Sequence, residues 1–252
     1  MALQIIVYIL FFIFAVFATQ ALHELGHILG GFMCGYNFRL LVIGPFGFRK
    51  SKDGKISFYI EHDKTMWQGA SVTLPDEPYS ITSRQVTMLL FAGLVLSLVI
   101  GLAFAPLALS THSYYAIVIS ALSLAYGISS FFPSKRSASF SDGWTLSSLR
   151  RGGAIREEEL RYYRVTRLYA ADKTTENISF EDLDALSKSK DRIRRFVAVC
   201  LMYWYYLERG EKPSAKNAMK QLERLAEKIP RKYFRKYCRP MGMSEKKKKN
   251  KK

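Results

Sequence analysis

The chain has 252 residues, with 38 Lys+Arg against 21 Asp+Glu and a net charge of +17. Its three cysteines, Cys34, Cys200 and Cys238, are odd in number and widely spaced, which argues against a disulfide framework or a cysteine zinc site. Residues 1–150 hold 10 basic and 7 acidic groups and residues 151–252 hold 28 and 14, so a candidate membrane domain precedes a basic soluble one.

The first 22 residues, "MALQIIVYILFFIFAVFATQAL", carry no charge, and about 20 apolar helical residues cross a bilayer. The segment lacks the basic start and convincing small-residue cleavage site of a secretory signal. Its periodicity runs on past His27, which predicts a retained transmembrane helix over about 2–34. Residues 36–80 read as strand. "FRLLVIG" and "KISFYIE" are β-prone runs, Ile56, Phe58 and Ile60 alternate with other residues, and Asp53-Gly54 offers a tight turn between the runs. A β-hairpin on the cytoplasmic side is expected, dipping towards the membrane interface.

Gln85 to Ser134 is a run of 50 residues without Asp, Glu, Lys or Arg, enough for two crossings. Pro106 and the serines of "PLALSTHSY" mark the connection, giving helices over about 85–106 and 114–132. The N-terminus and this connection have no basic side chain, residues 36–84 have seven, and the chain beyond Ser134 is rich in them. Three crossings with the N-terminus outside and the C-terminus cytoplasmic follow.

The remainder predicts a cytoplasmic helical domain over 151–240 and a basic tail over 241–252. Ser179 and Asp182 have capping-box spacing. Phe196 to Leu207 gives twelve consecutive apolar residues, too short to span and better suited to a buried helix. "KPSAKNAMKQLERLAEKIP" reads as an amphipathic helix opened and closed by proline. The last two helices loosely resemble one tetratricopeptide hairpin. Anionic lipid is the nearest partner for so basic a region beside a membrane; no nucleic-acid-binding motif is present.

The chemistry is concentrated in "HELGH". His23 and His27, four apart on a helix, present both imidazoles on one face, with Glu24 about 100° round. Two nitrogen ligands and a carboxylate able to take a proton from metal-bound water form the zinc-hydrolase arrangement. A chance exposed polar face is the alternative, but ionisable groups on a membrane helix cost roughly 2.5–3.5 kcal/mol each on insertion scales. Zinc also needs a third protein ligand, and His62, Asp63, Asp76, His112 and Asp142 are the candidates. His112 falls in the outer connection, on the far side from His23. Asp142 returns to the side of the histidines just beyond the third crossing, where a plain N-cap before "GWTLSSLR" is its other reading. Cys34 and His62 read as packing and strand residues.

His23-Glu24-Leu25-Gly26-His27 on one membrane helix, with Asp142-Gly143 after a third, resembles the site-2 proteases, zinc metalloproteases that cleave within membranes. The resemblance covers about residues 15–150, including "VIGPFGF" and the hairpin after it. It implies zinc held by His23, His27 and Asp142, with Glu24 as the catalytic base. The family's Asn-x-x-Pro stands here as Ser130-Phe131-Phe132-Pro133, which makes Ser130 a candidate substrate contact. Its Ala-Gly-Pro-x-x-Asn stands as Ala92-Gly93-Leu94-Val95-Leu96-Ser97, and no PDZ domain fits between the second and third crossings.

The expected protein is therefore a multi-pass, mainly α-helical membrane endopeptidase, with a bacterial plasma membrane as its expected location. Its expected substrate is a membrane-spanning or membrane-anchored peptide, cut near the cytoplasmic face. A non-proteolytic membrane scaffold or transporter partner that keeps a metal site is the alternative. A membrane-tethered nucleic-acid binder using the basic tail is a third reading.

Overall fold

The computed structural model describes residues 2–51, 53–64, 66–133, 141–227 and 229. The basic tail at 241–252, Cys238 and the closing Pro230 lie outside the described residues. The chain divides into two compact units, residues 1–160 and 161–252.

The first unit opens with three helices long and apolar enough to cross a membrane: α1 (Ala2–Met33), α2 (Ser83–Thr111) and α3 (Tyr114–Phe131). Large apolar side chains such as Leu3, Leu10, Phe14, Leu102 and Leu109 are exposed on α1 and α2. The inward faces carry small residues. Gly26 and Gly30, four apart on α1, let its backbone approach Ala92, Gly93 and Leu89 of α2, the close packing that replaces hydrophobic burial between membrane helices. Ser120 of α3 donates to the Gly101 carbonyl of α2 at 2.8 Å. At the other end of α1, the Tyr114 hydroxyl donates to the Tyr8 carbonyl at 3.1 Å. Tyr8, Phe11, Tyr114 and Tyr115 form an aromatic cluster there.

Pro106 does not end α2. The helix runs on to Thr111 and is closed by His112 in the left-handed conformation (φ 51°), whose N–H reaches the Ala108 carbonyl. Proline removes one backbone donor, a defect that membrane helices tolerate, so the connection shrinks to His112 and Ser113.

Between α1 and α2 the expected hairpin is instead a four-stranded antiparallel sheet, β1 (Asn37–Ile43), β2 (Phe46–Lys50), β3 (Ile56–Ile60) and β4 (Ala70–Leu74), in the order β3-β2-β1-β4. The two predicted runs are β1 and β3, but they do not pair. Asp53 and Gly54 join β2 to β3, with Phe48 opposite Phe58, and β1 pairs with β2 and β4. Leu40 and Val42 of β1 and Val72 and Leu74 of β4 are buried, and β4 packs along α1 with Thr73 against Gly31. The opposite edge carries exposed Phe46, Phe48, Ile56, Phe58 and Ile60 on one face. The backbone of Gly44, in the β1–β2 turn, lies against the Phe17 ring of α1.

After α3 come α4 (Asp142–Arg151) and α5 (Gly153–Asp172). Within the first unit Thr145 donates to the buried Glu159 carboxylate at 3.0 Å.

The second unit continues α5 and adds α6 (Phe180–Ser187), α7 (Arg192–Glu208) and α8 (Lys212–Ala226). The apolar run is buried as expected in its first half, with Phe196 to Leu201 at 1 % exposure or less. Helices α7 and α8 pack as a helical hairpin joined by three residues. The capping box at α6 does not form. Ser179 caps the Glu181 N–H, while Asp182 turns inward to Arg164 at 2.7 Å and Arg161 at 3.2 Å. Two guanidinium partners for a buried carboxylate outweigh one exposed cap.

Candidate metal centre

The α-helical rise places His23 and His27 one turn apart on the face of α1 that meets α2. Both are buried, as is Glu24. Their Nε2 atoms lie 3.1 Å apart, and Asp142 Oδ2 lies 3.2 Å from each. Among the described residues this is the one group of three or more His, Cys, Asp or Glu with converging ligand atoms. Ligands on a tetrahedral zinc at about 2.0–2.1 Å are about 3.3–3.4 Å apart, so the donor triangle fits a single ion with small adjustments.

The far side of each imidazole fixes which nitrogen faces the centre. His27 Nδ1–H donates to the Leu89 carbonyl at 3.0 Å, leaving Nε2 as a bare acceptor. His23 Nδ1 bonds the Ser97 hydroxyl at 2.9 Å. When His23 Nδ1 also donates, two lone pairs and a carboxylate face one point, an arrangement that could hold a cation. Outer partners of this kind orient metal-binding histidines. The Tyr126 ring meets His23 edge-on, 4.7 Å between centroids, and Gly93 leaves room for the His27 ring, which a Cβ would strike.

Asp142 reaches the histidines because its neighbours do the capping. Ser141 is the N-cap of α4 and accepts from the Trp144 N–H at 3.3 Å, while Asp142 is the first helical residue. The Ser141 hydroxyl also donates to the Phe132 carbonyl at 3.0 Å. Next along, Gly143 sits against the Phe131 carbonyl so closely that no side chain fits. The Asp-Gly pair thus has a physical reason: glycine lets α4 begin against the end of α3, and that contact sets the aspartate.

Glu24 accepts from the Ser71 hydroxyl of β4 at 2.7 Å. The other sequence candidates lie elsewhere. His62 is exposed, the Asp63 N–H bonds Glu61, Asp76 accepts from Asn37 at 2.9 Å, and His112 caps α2. The Ser130 hydroxyl donates to the Tyr126 carbonyl of its own helix at 2.9 Å, and the Cys34 thiol meets the Gln85 carbonyl. Ser97, Tyr126, Ser71 and the Leu89 carbonyl are site groups that motif reading does not single out as such. Ser97 had one signal, its place where the family pattern carries asparagine.

No protein-family model matches the chain, and neither a curated protein nor a solved structure does.

Proposed function

We propose that the protein is a zinc-dependent endopeptidase of the site-2 type, embedded in a membrane by α1, α2 and α3. The convergence of His23, His27 and Asp142 within 3.2 Å of one another carries this reading, because it joins the two halves of the pattern across 119 residues of chain. The intact Glu24 on the same helix favours hydrolysis over a purely structural metal, which needs no base.

His23, His27 and Asp142 would hold the zinc, which when bound would supply an acidified water and a Lewis acid for the scissile carbonyl. Glu24 would serve as the base and then as the proton donor to the departing amine. Ser97 and the Leu89 carbonyl hold the two imidazoles so that both Nε2 atoms stay directed inward. An extended substrate segment pairs with the sheet as an added strand, which unwinds it and exposes its carbonyls. The β4 edge is the nearer one, since Ser71 on that strand touches Glu24. The substrate is a membrane-spanning or membrane-anchored peptide cut near the cytoplasmic face, with the N-terminus of the enzyme outside and its basic C-terminal part against anionic lipid.

Comparative peptidomics of membranes carrying the wild type or Glu24→Gln tests the reading. The substitution keeps the metal ligands and removes the base. Intact precursors should accumulate with the variant, and identical peptide profiles would refute the proposal.

A further inference from the structure

A general base acts only within hydrogen-bond reach of the proton it removes, and a third group commonly aims it. Glu24 belongs to α1, yet the groups that meet its carboxylate come from β4 and the residues just before it. The Ser71 hydroxyl donates to Oε2 at 2.7 Å, with both residues under a tenth exposed. Gly69 faces the other oxygen: a Cβ there would lie 2.6 Å from Oε1, and its φ of +99° already disfavours any side chain.

This stretch is fastened to two different helices. Gln20 of α1 donates to the Trp67 carbonyl at 2.8 Å, and the Tyr126 hydroxyl of α3 donates to the Gln68 carbonyl at 2.6 Å. Two residues beyond Ser71, Thr73 packs on Gly31. The start of β4 is thus held on both sides of Ser71, and its hydroxyl meets the carboxylate from a fixed direction.

We propose that Ser71 is the positioning residue of Glu24, anchoring Oε2 while Gly69, having no side chain, accommodates Oε1. The assignment rests on the hydrolase reading above. A carboxylate on a flexible stem has several rotamers, and one buried donor selects among them. Ser71 is no catalytic residue in this scheme; it acts through the base.

The test uses the full-length zinc-loaded protein in lipid nanodiscs and two probes. A short peptide hydroxamate ligates the metal and hydrogen-bonds the neighbouring carboxylate, whereas azide ligates the metal alone. Ser71→Ala should weaken hydroxamate binding about fivefold, the usual worth of one buried hydrogen bond, with azide binding and zinc content unchanged. Ser71→Thr, which keeps the hydroxyl, should restore most of the affinity. In a Glu24→Gln background Ser71→Ala should have little further effect, as coupled residues require. Equal hydroxamate affinity in wild type and Ser71→Ala would overturn the assignment, and so would a matching loss of azide binding, which marks a merely structural role. Failure of the zinc-loaded wild type to bind hydroxamate would instead bring down the hydrolase reading, and this assignment with it.

Discussion

Replacing Asp142 with asparagine separates the two roles that its position allows. Asparagine keeps the size of the side chain and one carbonyl oxygen but removes the charge. The cap of α4 is Ser141, so the substitution leaves the cap in place. It forfeits only the favourable contact of an anion with a helix N-terminus, about 0.3–1 kcal/mol. The cost to the metal is larger. Asp142 Oδ2 stands 3.2 Å from both imidazole nitrogens, as a direct ligand would. Disturbing a partner one shell further out already costs roughly 10–100-fold in affinity, so loss of the anionic ligand itself should exceed about 100-fold. Competition against a chelator of known affinity, followed with metal analysis and circular dichroism on the purified protein, measures both effects. The expected result is zinc affinity lowered by more than about two orders of magnitude in a protein that is still folded. Near-normal affinity in the folded variant would refute Asp142 as a ligand and turn attention to Asp63 and His62.

Gly143→Ala should act on the same centre from behind. Its Cβ meets the Phe131 carbonyl, so α4 must shift and carry Asp142 with it, lowering zinc affinity by roughly 10–100-fold; an unchanged affinity would show that the Asp-Gly contact is dispensable. For topology, a membrane-impermeant thiol reagent applied to intact cells should label a cysteine at Ser113 and leave one at Lys216 unlabelled until the cells are opened. The reverse pattern would invert the proposed orientation. In the second unit, Asp182→Ala leaves the largely buried Arg164 without its carboxylate, which should cost about 3 kcal/mol. Thermal unfolding should shift downward by several degrees, and an unaltered curve would mean that this ion pair contributes nothing.

The meeting of His23, His27 and Asp142 was legible in the sequence because its signal is local or topological. The spacing of His23 and His27 fixes a helix face, and the uncharged run from Gln85 to Ser134 returns the chain to the histidines before Asp142. The sheet was less legible. β2, "FGFRK", contains Gly47 and follows a Gly-Pro pair, so it reads as loop, and β4, "ASVTL", is too short to stand out. The choice of partners for β1 is non-local and leaves no periodic trace. Ser97, Tyr126 and Ser71 owe their roles to the way separate elements meet. Two cap readings resolve in the same way. Asp142, whose other reading is a cap, leaves that role to Ser141, and Asp182, expected to complete the box with Ser179, turns inward while Ser179 caps alone.

The contact of Gly44 with Phe17 sets a constraint on biogenesis. Phe17 precedes His23 by six residues, about 9 Å along the helix, so in a bilayer crossed by α1 in the proposed orientation the β1–β2 turn would sit deeper than His23. Backbone groups at that depth must already be paired, since lipid offers them nothing. In that orientation sheet pairing would have to be finished in water, or beside the insertion machinery, before the turn sank along α1. The last strand to be synthesised, β4, is also the one that seals the sheet onto that helix. A pause in translation before residue 74 would leave β1 half paired at the membrane surface. The order in which this segment leaves the ribosome thereby becomes part of how the site is built.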